Sequence, residues 1–432
     1  MINSFNKNFK KICNCLKTQK KVFVLGLSGG SDSMALLHLL KNFMEINQNL
    51  SIEIYPVIID HDLRSNSRDE ALAVKKVAEK LGFKTIIKKI LSKKPTGNIQ
   101  NWARKGRRDL LCEKTFELSA NLLLGHHFDD QAETMFMRLS RHSGIDGLVG
   151  MKQNTFWNGI SVIRPLLNYN KNQIRKYIEE NDITFFEDNS NYMLKYERTK
   201  VRLLLDKIKL DNWADVSKDL NKLSKINNKL LKKINPFLSD WLKKNIILDE
   251  VGAARVNYNN FKIIFEKSEL FAIKIIGKIL QTVGGKEYPP KRKKTLNLIS
   301  SIFNRGFKNQ NLGNVIISLK NNYLFFIREQ RNINFEMKVE KNKKYIFDGR
   351  FLVISKRSGN LVNYKCKNFD KISSRSPFVK HTSLIKNTIP CIQTLEGVVI
   401  KPHFNIIDNN FNIKKESKDK LFNLYLIDRL NV

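Results

Sequence analysis

The chain has 432 residues, too many for one ordinary hydrophobic core, so two or three domains are expected. Hydrophobic residues make up 42% and charged residues 27%, a balance that excludes wholesale disorder. The net charge of +36 exceeds what solubility requires and indicates a polyanionic partner, of which nucleic acid is the leading class. Biased codon usage is the alternative explanation for part of the lysine excess, but it does not explain why Asp and Glu are so few.

The cysteines and the N-terminal residues bear on the cellular compartment. The five cysteines show neither the pattern of a disulfide framework nor the spacing of a zinc site, which favours a reducing compartment. Residues 1–21 are polar and basic without the apolar core of a signal peptide, and no run of roughly 18 apolar residues appears in the chain. We therefore expect a cytoplasmic protein without a membrane partner.

Short β-rich runs alternate with helical segments through the first part of the chain, from Lys21 to about Leu167. This alternation predicts successive βαβ units and hence an α/β fold with a Rossmann-like open, mostly parallel sheet. The helix after the last strand is expected to begin at Asn170, capped together with Gln173. The predicted strands are Val22–Leu27, Ile52–Ile59, Thr85–Ile90, Asn121–Leu124 and Ile160–Ile163.

The second half of the chain has a different character. It is lysine-rich and helical after about Leu205, with predicted helices over Asp215–Asn235, ended by Pro236, and over Glu269–Val283. From about Arg331 the chain has short β-like runs, such as Tyr345–Ile354 and Val398–Lys401. We therefore predict a catalytic domain over residues 1–205, a helical domain over 206–330 and a small C-terminal module over 331–432.

The segment Ser28–Ser33 follows a hydrophobic strand directly and opens a helix. Two glycines let successive N–H groups converge on an anion, three serine hydroxyls add donors, and the helix N-terminus adds positive potential. Asp32 beside a phosphate indicates a magnesium ion shared between the carboxylate and the phosphate oxygens. The alternative is an ordinary Gly-Ser turn that caps a helix.

This loop resembles that of the PP-loop ATP pyrophosphatases, and further segments resemble the tRNA(Ile)-lysidine synthases within that superfamily. The sequence departs from the family pattern at Arg108, His142 and Thr199. The matching segments are Ile59–Arg64, Ala103–Arg107, Gly125–Thr134, Arg164–Leu167, Asp188–Asn191 and Arg198–Arg202, in the family's order.

The resemblance implies an adenine nucleotide alpha hydrolase-like fold and a ligase that uses ATP and Mg²⁺. Its substrates would be L-lysine and tRNA(Ile) with the CAU anticodon. Attack of the first anticodon cytidine on ATP would give an adenylated base, and lysine would then displace AMP from C2 to give lysidine, which changes codon specificity from AUG to AUA. The oligomeric state stays open, with a homodimer among the alternatives.

The resemblance also assigns residues to roles. The loop residues Ser28, Gly29, Gly30, Ser31, Asp32 and Ser33 would bind ATP, with Asp32 as the metal ligand. Asp32 and Asp130 would be catalytic, and Asp130 and Glu133 would bind lysine. The helical domain and four arginines, namely Arg104, Arg107, Arg198 and Arg202, would bind tRNA.

Asp130 and Glu133 are also informative without the resemblance. They stand at positions i and i+3, so both carboxylates share one helical face and could hold the ammonium groups of free lysine. The alternative is a solvated helix start that favours acidic residues because of the helix dipole. The preceding His126 and His127 have no further ligands at zinc spacing, and we expect them to form a positioned polar loop.

Two rival functions deserve comparison. A PP-loop tRNA thiolase also adenylates a base, but those with an iron–sulfur cluster or a persulfide relay need paired cysteines, and Cys13 and Cys15 are the only close pair in the sequence. A non-enzymatic RNA-binding protein could explain the charge, yet it predicts loss of Asp32 or Asp130. Both aspartates are present.

Overall fold

The computed structural model describes residues 1–16, 21–62, 67–92, 94–97, 99–157, 160–186, 197–286, 288–333, 336–363, 378, 382–393, 399–400, 404–407 and 422–427. The chain divides into two compact units, Met1–Leu230 and Leu231–Val432. The division into three domains at 205 and 330 stays a prediction. None of the helices in the described ranges has the length and apolar character needed to cross a bilayer.

The first unit is built on a six-stranded sheet flanked by helices. The strands lie in the order β3-β2-β1-β4-β6-β5, and all neighbours are parallel except β5 and β6. The predicted open, mostly parallel sheet is therefore confirmed. The elements are α1 (Ile2–Cys15), β1 (Lys21–Leu27), α2 (Ser31–Ile46), β2 (Ile52–Asp60), α3 (Ser67–Lys80), β3 (Ile86–Lys89), α4 (Ile99–Glu117), β4 (Asn121–Leu123), α5 (Phe128–Ser140), β5 (Asn154–Trp157), β6 (Ile160–Ile163), α6 (Lys171–Glu180), α7 (Glu197–Asp211) and the start of α8 (Val216–Asn245).

Strand β1 is apolar on both faces because the sheet is covered on both sides. Phe23 belongs to a core formed with α1, α2, α3 and α6, whereas its neighbour Val24 points to the other face and packs with residues such as Leu111 of α4. Helix α1 was not predicted. Its Phe5 and Phe9 are buried, and the Phe9 ring lies edge-on to Phe43 of α2 at 4.9 Å, so two aromatic residues anchor an otherwise polar segment.

The predicted stop at Pro236 was wrong, because α8 continues through this proline to Asn245. Proline lacks the N–H group for an intrahelical hydrogen bond, and its ring crowds the carbonyl four residues earlier. Leu238 and Leu242 lie one turn apart beyond the proline and are both buried. Their burial offsets the local cost and allows the helix to continue.

The second unit contains helices and three sheets. The helices are α9 (Tyr258–Lys267), α10 (Glu269–Val283), α11 (Arg292–Phe303) and α12 (Thr382–Ile385), and α10 matches its predicted bounds. The first sheet is antiparallel, in the order β7-β8-β11-β10-β9, and its strands were not predicted. They are β7 (Ile246–Leu248), β8 (Ala254–Asn257), β9 (Asn309–Leu312), β10 (Val315–Lys320) and β11 (Tyr323–Arg328).

Two four-stranded sheets follow, in the orders β12-β15-β16-β17 and β13-β14-β19-β18. The β-like runs predicted near residues 345–354 and 398–401 fall in these sheets, although positions 398 and 401 lie outside the described residues. The strands are β12 (Glu336–Val339), β13 (Lys344–Phe347), β14 (Phe351–Ser355), β15 (Gly359–Asn363), β16 (Pro390–Gln393), β17 (Val399–Ile400), β18 (Phe404–Ile407) and β19 (Phe422–Ile427).

Candidate active site

The candidate site lies at the carboxyl ends of β1 and β4, which are parallel neighbours in the middle of the first sheet. The strand order reverses at this point: β2 and β3 lie on one side of β1, and β4 and the later strands lie on the other. Such a point opens a crevice at the sheet edge, where α/β proteins bind ligands. The loop Ser28–Ser33 follows β1, and His126 and His127 follow β4.

The loop after β1 has the geometry of an anion cradle. Gly29 has a φ of 81°, a left-handed conformation that suits glycine, and a Cβ there would lie 2.5 Å from Cγ2 of Val74. The Ser33 hydroxyl accepts a hydrogen bond from Ser28 N at 3.2 Å and donates one to the Gly30 carbonyl at 2.9 Å, which fixes the curl. Gly30 caps α2 without a side-chain hydrogen bond, and Ser33 N–H already donates to the Gly30 carbonyl, so an anion at this helix start would meet the N–H groups of Ser31 and Asp32.

Asp32 lies in the first turn of α2 and contacts a lysine that the sequence analysis did not single out. Lys171 Nζ lies 2.6 Å from Asp32 Oδ1 and 2.7 Å from Ser31 Oγ. The backbone N–H of Lys171 donates to Asp129 Oδ2 at 2.8 Å. Lys171 is therefore held at both ends beside the loop.

Gly125, two residues after the end of β4, packs against the backbone of the loop. A Cβ on Gly125 would lie 3.2 Å from the Asp32 carbonyl oxygen and 3.3 Å from Ser33 N. Glycine suits this position because the backbones of the two segments lie close together, and a Cβ would require one of them to yield.

His127 connects the two loops. Its Nδ1 accepts the N–H groups of Asp129 and Asp130, at 3.2 and 3.4 Å, and the Asp130 carboxylate accepts His127 N–H at 3.0 Å, which completes a reciprocal cap on α5. Since Nδ1 is an acceptor, the ring carries its proton on Nε2. That atom is 3.7 Å from Asp32 Oδ2 and 3.6 Å from Asp130 Oδ2.

The carboxylates predicted to bind lysine contact two arginines of α7. Arg198 Nε lies 2.5 Å from Glu133 Oε2, and Arg202 Nε lies 2.6 Å from Glu133 Oε1. Arg198 Nη2 also donates to Asp130 Oδ1 at 3.0 Å. The Glu133 side chain is only 3% exposed, so both of its oxygens are held between helices α5 and α7.

The electrostatics of the site are dominated by these pairs. Burial alone would raise the pKa of Asp130, but the charges of His127, Arg198 and His126 and the hydrogen bond from His127 N–H hold it well below its usual range. Desolvation lowers the pKa of His126 to about 3, against an opposing effect of Asp130. Asp130 is therefore ionised and His126 is neutral near pH 7.

Arg104 and Arg107 of α4 lie in the same electrostatic neighbourhood. Burial lowers the pKa of Arg104, and the charge of Arg198 lowers it further while Asp130 opposes the shift. The pKa of Arg107 is lowered by burial and then by Arg104. Like charges held this close are relieved by an anionic ligand, so the cluster is suited to phosphate.

Asp32 is the residue suited to a magnesium ion. Magnesium at nucleotide sites takes one or two carboxylates and completes its shell with phosphate oxygens and water. The carboxylate of Asp32 lies at the cradle, and its negative charge is balanced by the Lys171 ammonium at 2.6 Å, which a cation could replace. Within the described residues there is no cluster of three or more His, Cys, Asp or Glu side chains able to form a metal cage by themselves.

Comparisons with known proteins identify the family of the chain. A family model described as a PP-loop domain matches residues 1–208. The tRNA(Ile)-lysidine synthase of Rickettsia typhi is 31% identical over 406 residues, covering 89% of this chain and 90% of that protein. The chain belongs to the tRNA(Ile)-lysidine synthase family.

Other members of the tRNA(Ile)-lysidine synthase family align over similar lengths. That of Wolbachia pipientis is 28% identical over 419 residues, covering 96% of this chain and 94% of the relative. Among solved structures, the U34-tRNA thiolase NcsA from Methanococcus maripaludis is 19% identical, with a TM-score of 0.45, over 54% of this chain and 80% of that chain. This likeness is too low to bear on the activity.

The family resemblance read from the motifs is thereby confirmed. The structure gathers the predicted loop, Asp130, Glu133 and the predicted arginines around one crevice, whereas Leu63, Arg64 and residues 188–191 of the motifs lie outside the described residues. Sequence reasoning missed Lys171 and Asp129. The available signals were a lysine at the first position of a helix and an acidic residue immediately before Asp130.

Proposed function

We propose that the protein joins L-lysine to C2 of the first anticodon cytidine of tRNA(Ile) with the CAU anticodon. The cytidine C2 oxygen attacks the α-phosphate of ATP, so pyrophosphate leaves and the base is adenylated. The lysine ε-amine then attacks C2 and AMP leaves, giving lysidine and changing codon specificity from AUG to AUA. The reaction takes place in the cytoplasm.

The observation that supports this proposal is the position of His127, whose ring lies between the carboxylates of Asp32 and Asp130. Its Nε2 lies 3.7 Å from Asp32 Oδ2 at the anion cradle and 3.6 Å from Asp130 Oδ2 at the start of α5. A nucleotide held by the cradle would therefore have its reacting end beside an acidic group. A two-step ligase needs this proximity, since the adenylated base must meet the amine without leaving.

The phosphate loop binds the β- and γ-phosphates of ATP through the N–H groups at the start of α2 and the serine hydroxyls. Asp32 would hold Mg²⁺, which would neutralise phosphate charge when bound. Asp130 stays ionised and orients the lysine ammonium by its charge, while the proton that the ammonium must lose before the amine attacks passes to water.

Asp130 and Glu133 recognise the ammonium groups of lysine. Because Arg198 and Arg202 already occupy both oxygens of Glu133, lysine must compete with guanidinium groups for that carboxylate. Any arginine displaced by lysine becomes free to contact a phosphate of the tRNA. Lysine binding and tRNA binding would then favour each other.

The tRNA contacts come from Arg104, Arg107, Arg198 and Arg202, and the helical region after residue 205 contributes further basic residues. Arginine is suited to this role because its planar group can bind a phosphate through two hydrogen bonds. The pKa of Arg104 is lowered by burial and by the charge of Arg198, and that of Arg107 by burial and by the charge of Arg104, which supports the proposal since a phosphate would relieve this repulsion.

The test is incorporation of radiolabelled lysine into purified tRNA(Ile) carrying the CAU anticodon. We expect label in the tRNA only when ATP and Mg²⁺ are both present, with one AMP and one pyrophosphate released per lysine. A tRNA with guanosine at the first anticodon position is the matched control. Formation of adenylated tRNA without lysine transfer, followed by transfer of sulfur from a donor, would identify a thiolase instead.

A further inference from the structure

Lys171 lies at the rim of the anion cradle but outside the segments that resemble the family's motifs. It is the first residue of α6, and its backbone is fixed by the 2.8 Å hydrogen bond to Asp129 Oδ2. Its ammonium reaches across to α2, where it contacts Ser31 Oγ at 2.7 Å and Asp32 Oδ1 at 2.6 Å. The side chain is 29% exposed, so Lys171 is only partly covered in this position.

We propose that Lys171 is a pyrophosphate-binding residue, whose ammonium leaves Asp32 and contacts the β- and γ-phosphates when ATP and magnesium enter the cradle. The inference rests on the proposed function for its place in the reaction. Binding of inorganic pyrophosphate, however, can be tested without tRNA or lysine.

The electrostatic reason is competition for one carboxylate. A divalent cation that takes Asp32 as a ligand repels an ammonium at 2.6 Å from the same oxygen atom. The nearest place for the displaced charge is the anion in the cradle, because Ser31 Oγ already lies within hydrogen-bond distance of Lys171 Nζ. With its backbone fixed by Asp129, the flexible lysine side chain can change partner without any movement of α6.

The chemical reason is the charge that develops on the leaving group. As the cytidine oxygen forms its bond to the α-phosphorus, the bond from that phosphorus to the bridging oxygen breaks. The electron pair stays on the bridging oxygen, so pyrophosphate leaves with one additional negative charge. Lys171 remains protonated and transfers no proton, and its charge stabilises pyrophosphate more in the transition state than in ATP.

The competing explanation is that Lys171 only neutralises Asp32 in the absence of a ligand. The two roles predict different results in an Asp32→Asn protein, in which residue 32 carries no charge. If Lys171 only balances Asp32, then removing its ammonium from an Asp32→Asn protein has no effect on pyrophosphate binding. If Lys171 contacts pyrophosphate, the loss persists in that background.

The experiment measures pyrophosphate binding to the full chain by calorimetry, for Lys171→Met with and without Asp32→Asn. Without added metal, we expect Lys171→Met to weaken binding about 10- to 100-fold in both backgrounds, as for loss of a hydrogen bond between charged groups. Lys171→Arg should recover part of the affinity. The matched control is Lys176→Met on the same helix, because Lys176 is 76% exposed and pairs only with Glu180 among described partners, at 3.7 Å.

A second readout separates this inference from the proposed function. With ATP, Mg²⁺ and tRNA, Lys171→Met should slow adenylation in a single turnover by a similar factor, while lysine attachment to tRNA adenylated beforehand by the wild-type protein keeps its rate. Wild-type pyrophosphate affinity in a folded Lys171→Met protein would overturn the inference. Circular dichroism confirms folding, and Lys171→Gln replaces the methionine variant if that protein unfolds.

Discussion

Asp32 is the loop residue that we assign to the magnesium ion, and in the structure its charge is balanced by Lys171. Its side chain is 30% exposed and lies at the loop surface, so Asp32→Asn should leave the fold intact. We expect this variant to lose ATP-dependent pyrophosphate release by at least about 100-fold, because an amide is a much poorer magnesium ligand than a carboxylate. The measurement is pyrophosphate release with tRNA under saturating ATP. Wild-type turnover by the folded Asn variant would remove Asp32 from the metal site.

His126 gives the site a pH dependence that can be measured as stability. Desolvation lowers its folded-state pKa to about 3 from an ordinary value of 6.5, with Arg164, Arg198 and Arg107 adding to the shift and Asp130 opposing it. As pH falls from 6.5 towards 3, the unfolded chain binds a proton that the folded chain does not. Stability from this group is therefore complete above pH 6.5 and is progressively lost below it.

We expect His126→Asn to lose less stability than the wild type between pH 7.5 and pH 5. Urea unfolding of both proteins at the two pH values measures this difference. The comparison cancels contributions from the other groups that titrate in both proteins. An identical loss in the two proteins would show that His126 is not desolvated in solution.

At the scale of elements, the contact between α5 and α7 decides how the lysine pocket works. Glu133→Gln removes the charge that holds Arg198 and Arg202 but keeps the shape of the side chain. We expect the KM for lysine to rise about 10-fold or more, while formation of adenylated tRNA is affected less, because pyrophosphate release uses the phosphate loop. Single-turnover measurements resolve the two steps.

The matched control is Glu197→Gln, since Glu197 also pairs with an arginine, Arg141, but on an exposed part of α7. This control should change neither step. Equal loss of adenylation and lysine transfer in Glu133→Gln would mean that Glu133 serves only to position the two arginines. That outcome would move the lysine pocket to Asp130 and its other neighbours.

Local patterns predicted the elements whose causes are local. The alternation of strands and helices predicted the central sheet, and the Asn170 and Gln173 side chains form the expected reciprocal cap on α6. Helix α1 was missed although Phe5, Phe9, Ile12 and Cys13 recur at helical spacing and are buried, because the segment was weighed only for its polar, basic character. The passage of α8 through Pro236 was missed because packing beyond the proline outweighs a local preference.

The parts of the site that lie within sequence motifs could be predicted, whereas the contacts between residues far apart in the sequence could not. The loop Ser28–Ser33 could be assigned a ligand from its residue types alone, whereas the pairing of Glu133 with Arg198 and Arg202 depends on how α7 packs against α5. The contact of Lys171 with Asp32 likewise joins residues far apart in the sequence. His142, one of the departures from the family pattern, has a φ of 53°, a conformation that glycine adopts more readily.

At the scale of the whole molecule, the net charge of +36 should govern the affinity for tRNA. Each phosphate neutralised by Lys or Arg releases counterions, so the logarithm of the binding constant should fall linearly with the logarithm of salt concentration, by about 0.7 to 0.9 per phosphate contact. Filter binding of tRNA at salt concentrations from about 50 to about 300 mM measures the slope of this dependence.

Arg104→Ala should reduce that slope by about one unit if Arg104 contacts a phosphate. Lys176→Met serves as the control for loss of one exposed positive charge on the first unit. An affinity that does not change with salt would mean that the excess of lysine reflects codon usage rather than contact with tRNA.

The near contact between Gly125 and the backbone of Asp32 couples two loops mechanically. A side chain at position 125 would place its first carbon 3.2 Å from the Asp32 carbonyl oxygen, closer than an ordinary contact, so one of the two segments would have to yield by a few tenths of an ångström. The end of β4 and the loop after β1 therefore cannot shift independently. A substitution at position 125 is thus a way to alter the shape of the phosphate loop without changing any residue in it.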